Sequence, residues 1–244
     1  MDVLFWFPAF SRGRGSSGGY SIHDSRLPIH DLRGMHRYFI KTPRLVKRLF
    51  PRYTWDAPAA GGVVYLTFDD GPHPTITPWV LDQLKAHNAK ATFFCIGKNV
   101  VAHPEVLNRI STEGHAIGNH THNHLNGWKT DAAAYLENVR AAALHIPAAL
   151  FRPPYGRIRG AQARGIAEAM GLPAARIIMW DVLSADFDRS ITPQQCAENV
   201  LRHTVPGSII VFHDSEKAWP NLEYALPEVL REFGKRGYTL KALE

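Results

Sequence analysis

Short apolar runs recur along the chain from residue 63 onwards, and each run is bounded by polar or turn-forming residues. Such runs are typical of buried strands. They predict seven strands, at 63–68, 91–96, 116–118, 150–151, 176–180, 208–212 and 238–240. Because two of the runs, VVYL and SIIVF, are apolar at consecutive positions, we expect these strands to be covered on both faces, as in parallel sheets.

Helix signals lie between most of the strand-like runs. A polar N-cap and a proline in the first turn both favour a helix start, and four pairs carry such signals: Thr77-Pro78, His103-Pro104, Thr130-Asp131 and Thr192-Pro193. Glycines at positions 114, 171 and 237 are predicted to end helices. Strands that alternate with helices predict an α/β fold with a mainly parallel sheet. Periodicity alone leaves open whether that sheet closes into a barrel.

The positive charge of the chain is confined to its beginning. The 244 residues carry a net charge of +6, and residues 1–60 account for it with ten Lys/Arg and four Asp/Glu, whereas residues 61–244 hold eighteen of each. A nucleic-acid-binding domain is expected to carry a basic face on its folded part. We therefore predict no nucleic-acid partner, and we divide the chain into a basic leader of residues 1–60 and a domain of residues 61–244.

The leader itself has two parts. Residues 11–34 are rich in Gly, Ser and Arg without periodicity, which predicts disorder. We expect residues 1–34 to be an upstream extension, with Met35 as an alternative start. Residues 41–50 alternate basic and apolar positions at helical spacing, which predicts a short amphipathic helix packed on the domain; a helix at a membrane surface is the alternative.

The composition is that of an ordinary globular protein and narrows its cellular location only slightly. Hydrophobic residues at 45% and charged residues at 20% are ordinary globular values. No apolar run approaches the roughly 20 residues of a membrane span, and the start lacks the basic region of a signal peptide. We expect a cytoplasmic protein, or one peripheral at the membrane through its basic leader.

Cys95 and Cys196 are expected to be buried free thiols, and no oligomeric state is predicted.

Polar clusters of unusual kind follow five of the predicted strands. They are the acids and glycine at 69–71, the histidine-rich stretch 119–124, the segment 152–156, the acidic segment 181–186, and the pair 213–214. In parallel α/β folds the carboxyl ends of the strands meet at one face. We therefore expect the five clusters to converge on one functional site.

His120 and His124 have a spacing that suits two ligands of one metal ion, since residues four apart share a face on a helical turn. Neutral imidazoles bring no negative charge, so a carboxylate is expected as the third ligand. Two histidines and one carboxylate leave open positions, which mark a catalytic metal site. His115 and His122 crowd the same stretch, so the spacing leaves open which histidines bind. Histidines on a helix surface are the alternative interpretation.

Asp69 and Asp70 are adjacent at a strand end, where successive side chains point to opposite sides. One can bind the metal while the other stays free as a base; two solvated turn carboxylates are the alternative. His213 follows an apolar strand and has an ordinary pKa of about 6.5, which suits proton delivery. Arg152 stands on a segment stiffened by two prolines and could orient a carboxylate such as Asp69 or Asp186.

The five motifs in this order resemble the polysaccharide deacetylases of the NodB-homology type, carbohydrate esterase family 4. They are Thr-Phe-Asp-Asp-Gly, His-Thr-x-x-His, Arg-Pro-Pro-Tyr-Gly, a Trp/Asp segment, and His-Asp after an apolar run. The resemblance covers about residues 61–244. It implies a deformed (β/α) barrel with about seven parallel strands, and a hydrolase that removes N-acetyl groups from the amino sugars of a glycan.

The resemblance also implies the metal site and the base. Asp70, His120 and His124 would hold one divalent metal, with His122 as a non-ligand between the two histidines. Zinc is the expected ion, and cobalt, nickel or manganese are alternatives. Asp69 would be the general base.

The remaining roles follow from the same resemblance. His213 would be the general acid, and Arg152 would hold the base. The residues expected to contact the substrate are Pro153, Tyr155 through its backbone N–H, and Trp180 and Phe212 around the acetyl methyl group.

One position departs from the family pattern. The fourth motif, commonly Asp-x-x-Asp-Trp, keeps its second acid as Asp186 but has Leu183 in place of the first. In the family that first acid supports the charged form of the catalytic histidine. We therefore expect a lower pKa for His213 and a shifted pH optimum, unless Asp214 or Asp181 substitutes.

Two rival hypotheses remain at this stage. One is a metal-dependent hydrolase on the same scaffold that acts on O-acetyl esters or other C–N bonds. The other is an inactive sugar-binding relative, against which the complete set of acids and histidines argues. Which N-acetylated glycan is the substrate is not predicted.

Overall fold

Strands and helices alternate through residues 38–244, the part of the chain that the computed structural model describes. The strands are β1 Val63–Asp69, β2 Ala91–Cys95, β3 Ala116–Asn119, β4 Leu150–Phe151, β5 Arg176–Ile177, β6 Val182–Leu183, β7 Ile209–His213 and β8 Thr239–Leu240. The helices are α1 Arg44–Leu49, α2 Ile76–Ala86, α3 Gly97–Ala102, α4 Pro104–Thr112, α5 Ala132–Ala143, α6 Gly160–Ala169, α7 Pro193–His203 and α8 Trp219–Lys235.

The strands form one curled parallel sheet surrounded by helices. Seven strands follow the order β5-β4-β3-β2-β1-β7-β6, and β8 pairs with the first residues of β1. Within residues 38–244 no strand pairing joins β5 to β6, so the barrel is open at that side. The predicted deformed (β/α) barrel is confirmed.

Most predicted elements are present, with small shifts at their ends. The seven expected strands all occur, although the run at 176–180 pairs as a strand only as far as Ile177. The additional strand, β6, was not predicted because it has only two residues. Helix α7 begins where its signals predict, since the side chains of Thr192 and Gln195 accept each other's backbone N–H groups.

Residues 40–57 contact the sheet beside the gap between β5 and β6. Lys41 bridges to Val182, and the Nζ atoms of Lys41 and Lys47 both lie 2.5 Å from the buried carboxylate of Asp181. The helix expected at 41–50 is present as α1, but the expected packing of an apolar face on the domain is not seen, because Leu45 and Leu49 are exposed. The helix contacts the domain through the ion pair of Lys47 with Asp181. The division of the chain at residue 60 remains a prediction, and the expected disorder of residues 1–34 lies outside the described residues.

Two further expectations concern burial and membranes. Cys95 and Cys196 are buried free thiols, as predicted. Among the described residues, no helix is long and apolar enough to cross a bilayer.

The two faces of the central strands carry different chemistry. On one face Phe68 stacks with Phe93 and Phe212, all of them fully buried. Because side chains alternate along a strand, Thr67 and Asp69 lie on the opposite face of β1. On that face the side chains are apolar at the start of the central strands and polar at their carboxyl ends, where the candidate site lies.

Candidate metal centre and active site

The carboxyl ends of neighbouring strands bring the predicted polar residues together. Asp69 ends β1 and His213 ends β7, and the two are paired directly in the parallel register. Asn119 at the end of β3 pairs with Phe151, so the histidine stretch and Arg152 leave the sheet side by side. The convergence expected from the strand pattern therefore occurs at this rim.

Asp70, His120 and His124 form a compact cluster. Asp70 Oδ1 lies 3.8 Å from His120 Nε2 and 3.1 Å from His124 Nε2, and one ligand atom of each residue falls within 4.8 Å of the others. The structure thus brings together the trio that the family resemblance implies. His115 lies elsewhere, where its Nδ1 accepts the N–H of Ala91.

The loop that carries the two histidines is not the helical turn that the spacing predicts. Residues 120–124 are irregular, and Thr121 and His124 have φ angles of 63° and 57°. The Asn119 side chain accepts the N–H of Thr121 at 2.8 Å, and Thr121 Oγ1 accepts the N–H of Leu125. These local side-chain bonds, rather than a 3.6-residue period, bring the two imidazoles together, with ring centroids 5.1 Å apart.

The expected opposition of the two acids is also wrong. Asp70 has a φ of 82°, so strand geometry ends at Asp69 and the alternation of side chains ends with it. As a result both carboxylates face His120, with Asp69 Oδ2 4.0 Å from its Nε2.

The hydrogen bonding of His120 leaves the lone pair of its Nε2 available for a metal ion. Its Nδ1 lies 2.7 Å from the carbonyl oxygen of Arg152, and a carbonyl only accepts, so Nδ1 carries the proton and Nε2 is free. Burial lowers the pKa of His120 to about 4, against the opposing effect of Asp69. A neutral imidazole with a fixed tautomer is the form that binds metal ions.

Asp70 supplies the negative charge of the cluster. Burial alone would raise its pKa, but the surrounding imidazoles, those of His124 and His213 foremost, hold the pKa of Asp70 well below its usual range. Its buried Oδ1 is approached by the Nε2 atoms of His124 and His120 at 3.1 and 3.8 Å, but within the described chain no donor meets it with hydrogen-bond geometry. Because a buried anionic oxygen without a donor is costly, the carboxylate and two imidazoles fit a divalent cation.

Asp69 has a different set of partners. Arg152 is fully buried, and its Nη1 donates at 2.7 Å both to Asp69 Oδ1 and to Thr67 Oγ1. Its Nη2 and Nε donate to the carbonyls of Met179 and Ile178. The guanidinium therefore holds Asp69, and of the two acids considered from the sequence Asp186 is not its partner.

Asp186 is instead the partner of His213. The His213 Nδ1 and backbone N each lie 2.7 Å from one oxygen of the Asp186 carboxylate. Burial alone would lower the pKa of His213, but Asp186 outweighs it and raises the pKa to about 10. His213 therefore keeps a carboxylate partner despite Leu183, because the second acid of the motif makes that contact. The lower pKa and shifted pH optimum expected relative to the family stay predictions.

The other substitutes considered for the missing acid have different tasks. Asp181 binds Lys41, Lys47 and Ser208. Asp214 accepts hydrogen bonds from the N–H of Gly71 and from the Thr77 hydroxyl. Leu183 lies in β6 with its side chain buried.

The residues expected around the acetyl group are only partly assembled. Tyr155 has a φ of 60°, and its ring lies 4.6 Å from that of His124. Pro153 is buried, and its carbonyl accepts the N–H of Gly156, against which the Trp180 ring packs. Phe212 does not join them.

Phe212 faces away from the site because of its register. It is fully buried, pairs with Phe68 and stacks on it, on the face opposite Asp69 and His213. The neighbouring Val211 pairs with Thr67 and so has the inward register.

Some supporting residues were missed. Asn99 Nδ2 donates to the Asp70 carbonyl at 2.7 Å, and Thr67 Oγ1 accepts from Arg152. Thr67 precedes the two acids in its motif, which is a usable signal. Asn99 lies in α3 far from any motif, so spacing offered none.

Comparisons with known proteins point to one family. Residues 56–175 match the family model described as polysaccharide deacetylase. A peptidoglycan-N-acetylglucosamine deacetylase of Bacillus cereus is 36% identical over 170 residues, which cover 67% of this chain and 60% of that protein. A chitooligosaccharide deacetylase of Azorhizobium caulinodans is 35% identical over 192 residues, which cover 74% of this chain and 84% of that protein.

Solved structures extend the likeness to the fold. The crystal structure of a peptidoglycan N-acetylglucosamine deacetylase in complex with a benzamide compound superposes with a TM-score of 0.72 at 31% identity. The match covers 83% of this chain and 95% of that one.

Proposed function

Since the chain belongs to the polysaccharide deacetylase family of NodB homology, we propose that it hydrolyses the N-acetyl group of N-acetylglucosamine-type units in a glycan. One observation carries the proposal. A carboxylate held by a buried guanidinium and a histidine held by a buried carboxylate flank one cluster of metal-ligating atoms. The names of the relatives support peptidoglycan or chitin-like oligomers as the substrate class.

The donor set fits one divalent ion, with zinc as the proposed metal. Asp70, His120 and His124 would hold it, and three ligands leave positions for water and substrate. When bound, the ion supplies positive charge that polarises the acetyl carbonyl and lowers the pKa of water at the site.

Asp69 is the proposed general base. Its Oδ1 is held by Arg152, and its Oδ2 faces the cluster, 4.0 Å from His120 Nε2. Arg152 fixes the orientation of the carboxylate. Asp69 would take a proton from the attacking water.

His213 is the proposed general acid. Its Nδ1 donates to Asp186, and this carboxylate raises the pKa of the ring and so favours its protonated form. The ring can therefore deliver a proton from Nε2 to the departing sugar nitrogen, which would otherwise leave as an unstable anion. The backbone N–H of Tyr155 is proposed to donate to the developing oxyanion, a contact typically worth about 3–4 kcal/mol.

Acetate release tests the proposal. Purified protein is incubated with chitooligosaccharides, peptidoglycan fragments and O-acetylated xylan, with and without a chelator and added zinc. We expect zinc-dependent acetate from the N-acetylated substrates. Release from O-acetyl esters alone would assign an esterase, and no acetate from any substrate by metal-loaded protein would show an inactive relative.

A further inference from the structure

Helix α1 is oriented in the opposite way to an ordinary surface helix. A helix at the surface of a domain usually turns its apolar side to the core and its charged side to water. In α1 the two leucines face solvent, since Leu45 is 66% exposed and Leu49 is 64% exposed. Lys47 instead faces the domain, where its Nζ lies 2.5 Å from the buried carboxylate of Asp181. The helix is therefore held by an ion pair and presents its leucines outwards.

Exposed arginines lie beside these two leucines. Arg44 and Arg48 directly precede Leu45 and Leu49, and Arg52 follows the helix; all three arginines are exposed. Because a helix has 3.6 residues per turn, the two arginines and the two leucines of α1 form adjoining basic and apolar strips on its outer side. Within residues 38–244, none of the three arginines forms an ion pair.

The charge of the surrounding segment is not balanced locally. Residues 38–55 contain five Lys/Arg and no Asp or Glu. Lys41 and Lys47 are neutralised by Asp181, and Lys47 also by Asp56, the first acid after the segment. The remaining positive charge therefore lies on the exposed arginines.

Arginines without acidic partners beside exposed leucines are complementary to an anionic lipid surface. The leucines can enter the boundary of the acyl chains while the guanidinium groups stay among the negatively charged headgroups. A nucleic acid would pair with the arginines through its phosphates but would leave the leucines exposed to water. The combination of the two strips therefore favours lipid over a purely anionic polymer.

The contacts of α1 lie at the end of the sheet opposite to the catalytic rim. Asp181, the partner of Lys47, directly precedes β6, and Asp56 bridges to Ser208, which directly precedes β7. His213 ends β7 five residues beyond Ser208, roughly 16 Å further along the strand. A surface bound through α1 therefore leaves the rim accessible to a glycan.

We propose that the outer side of α1, formed by Arg44, Leu45, Arg48 and Leu49 together with Arg52, docks the protein on the surface of an anionic lipid bilayer. The contact is peripheral, because the side chains reach only the headgroups and the start of the acyl chains. It does not depend on the proposed reaction.

Co-sedimentation of the full-length protein with lipid vesicles tests the docking surface. Vesicles of phosphatidylcholine alone are compared with vesicles of equal parts phosphatidylcholine and phosphatidylglycerol, at low and at high salt. We expect binding to the anionic vesicles only, and a lower affinity at high salt because salt screens exposed charges. No binding to the anionic vesicles would overturn the proposal.

Two sets of substitutions separate the basic strip from the apolar one. Arg44→Gln, Arg48→Gln and Arg52→Gln together should weaken binding roughly a hundredfold, at about fivefold for each arginine near an anionic surface. Leu45→Ser with Leu49→Ser should weaken it at least about tenfold, because both side chains lose their burial in lipid. All these side chains are exposed, so the melting temperature should stay that of the wild type.

Leu144→Ser is the matched control, because Leu144 is 79% exposed and lies outside α1. It should bind vesicles like the wild type.

The same experiments identify a different occupant of this surface. If the leucine variant binds like the wild type, or if duplex DNA binds as tightly as the anionic vesicles, charge alone drives binding and the lipid contact is wrong. If the wild type does not bind vesicles, sediments as a dimer, and becomes a monomer in the leucine variant, the surface belongs to a second copy of the chain. Acetate release does not enter the measurement, so vesicle binding by a protein that releases no acetate would support the docking surface and count only against the proposed reaction.

Discussion

Replacing Asp186 by asparagine removes the charge beside His213 while it keeps the size of the side chain. In the structure the carboxylate accepts from both Nδ1 and the backbone N of His213, each at 2.7 Å. An asparagine oxygen can still accept from Nδ1–H, so the ring can keep its tautomer. The asparagine NH2 group then faces the backbone N–H of His213, so the variant loses one hydrogen bond as well as the ion pair. We expect the pKa of His213 to fall.

The size of the fall follows from the contacts. Burial alone would lower the pKa of His213, and Asp186 is the main cause that raises it to about 10. An opposite charge at this distance shifts a pKa by about 1–3 units, roughly 1.4–4 kcal/mol of stabilisation for the charged ring. Asp70 and Asp69 raise the pKa as well and remain in the variant, so part of the shift should persist.

The assay is the pH dependence of kcat/KM for acetate release by zinc-loaded protein. The acid must be protonated, so activity declines at high pH, and Asp186→Asn should move this decline down by one unit or more. The bound ion opposes the charges of Asp69 and Asp70 equally in both proteins, so the difference between the profiles isolates Asp186. Asp188→Asn is the matched control, since this nearby carboxylate accepts from Ser190.

Unfolding of metal-free protein gives an independent measure. Between pH 6.5 and about 10, folded protein holds a proton on His213 that the unfolded chain releases. The stabilisation is therefore complete below pH 6.5 and is lost as the pH rises through that window. Asp186→Asn should flatten this decline. Identical pH profiles and identical stability curves for wild type and variant would refute the pairing.

Other substitutions test the division of labour and the attachment of the N-terminal segment. Asp69→Asn should keep its bound metal while turnover falls at least about a hundredfold, whereas His124→Ala should lose metal and turnover together; elemental analysis and acetate release measure both. Asp181→Ala leaves Lys41 and Lys47 without their shared anion and should lower the free energy of unfolding by about 2 kcal/mol. This is less than the roughly 3–5 kcal/mol of a fully buried pair because both lysines are partly exposed. Urea unfolding of the wild type and the variant at the same pH measures this difference, and an unchanged unfolding midpoint would contradict the prediction.

The fold was predictable because the strands that build it are apolar over several consecutive residues. β1 and β7 are buried at nearly every position, and burial on both faces leaves a continuous signal. The two residues of β6 are too short to show a period, and they pair only because β7 lies beside them. Because β6 forms one edge of the sheet, the open side of the barrel could not be located without predicting this strand.

Much of the residue set of the candidate site was predictable from the motifs, whereas its geometry and the position of Phe212 were not. The order of motifs brought Asp70, His120 and His124 together without showing how. A spacing of four suggests a helical turn, yet positive φ at Thr121 and His124 produces the same approach. The spacing of two residues gives only their separation along the chain. It does not predict the side-chain hydrogen bonds that stabilise such a loop.

The adjacent acids show where local sequence stops being informative. Asp69 and Asp70 have the same chemistry and face the same imidazole, so neither spacing nor alternation separates a ligand from a base. Arg152, distant in sequence, donates to Asp69 and leaves Asp70 Oδ1 without a donor. A carboxylate oxygen already bonded to a guanidinium is less available to a cation, whereas a buried oxygen with no donor requires one. The proposed roles of the two acids therefore depend on tertiary structure, through a strand order that leaves two strands, β3 and β2, between β4 and β1.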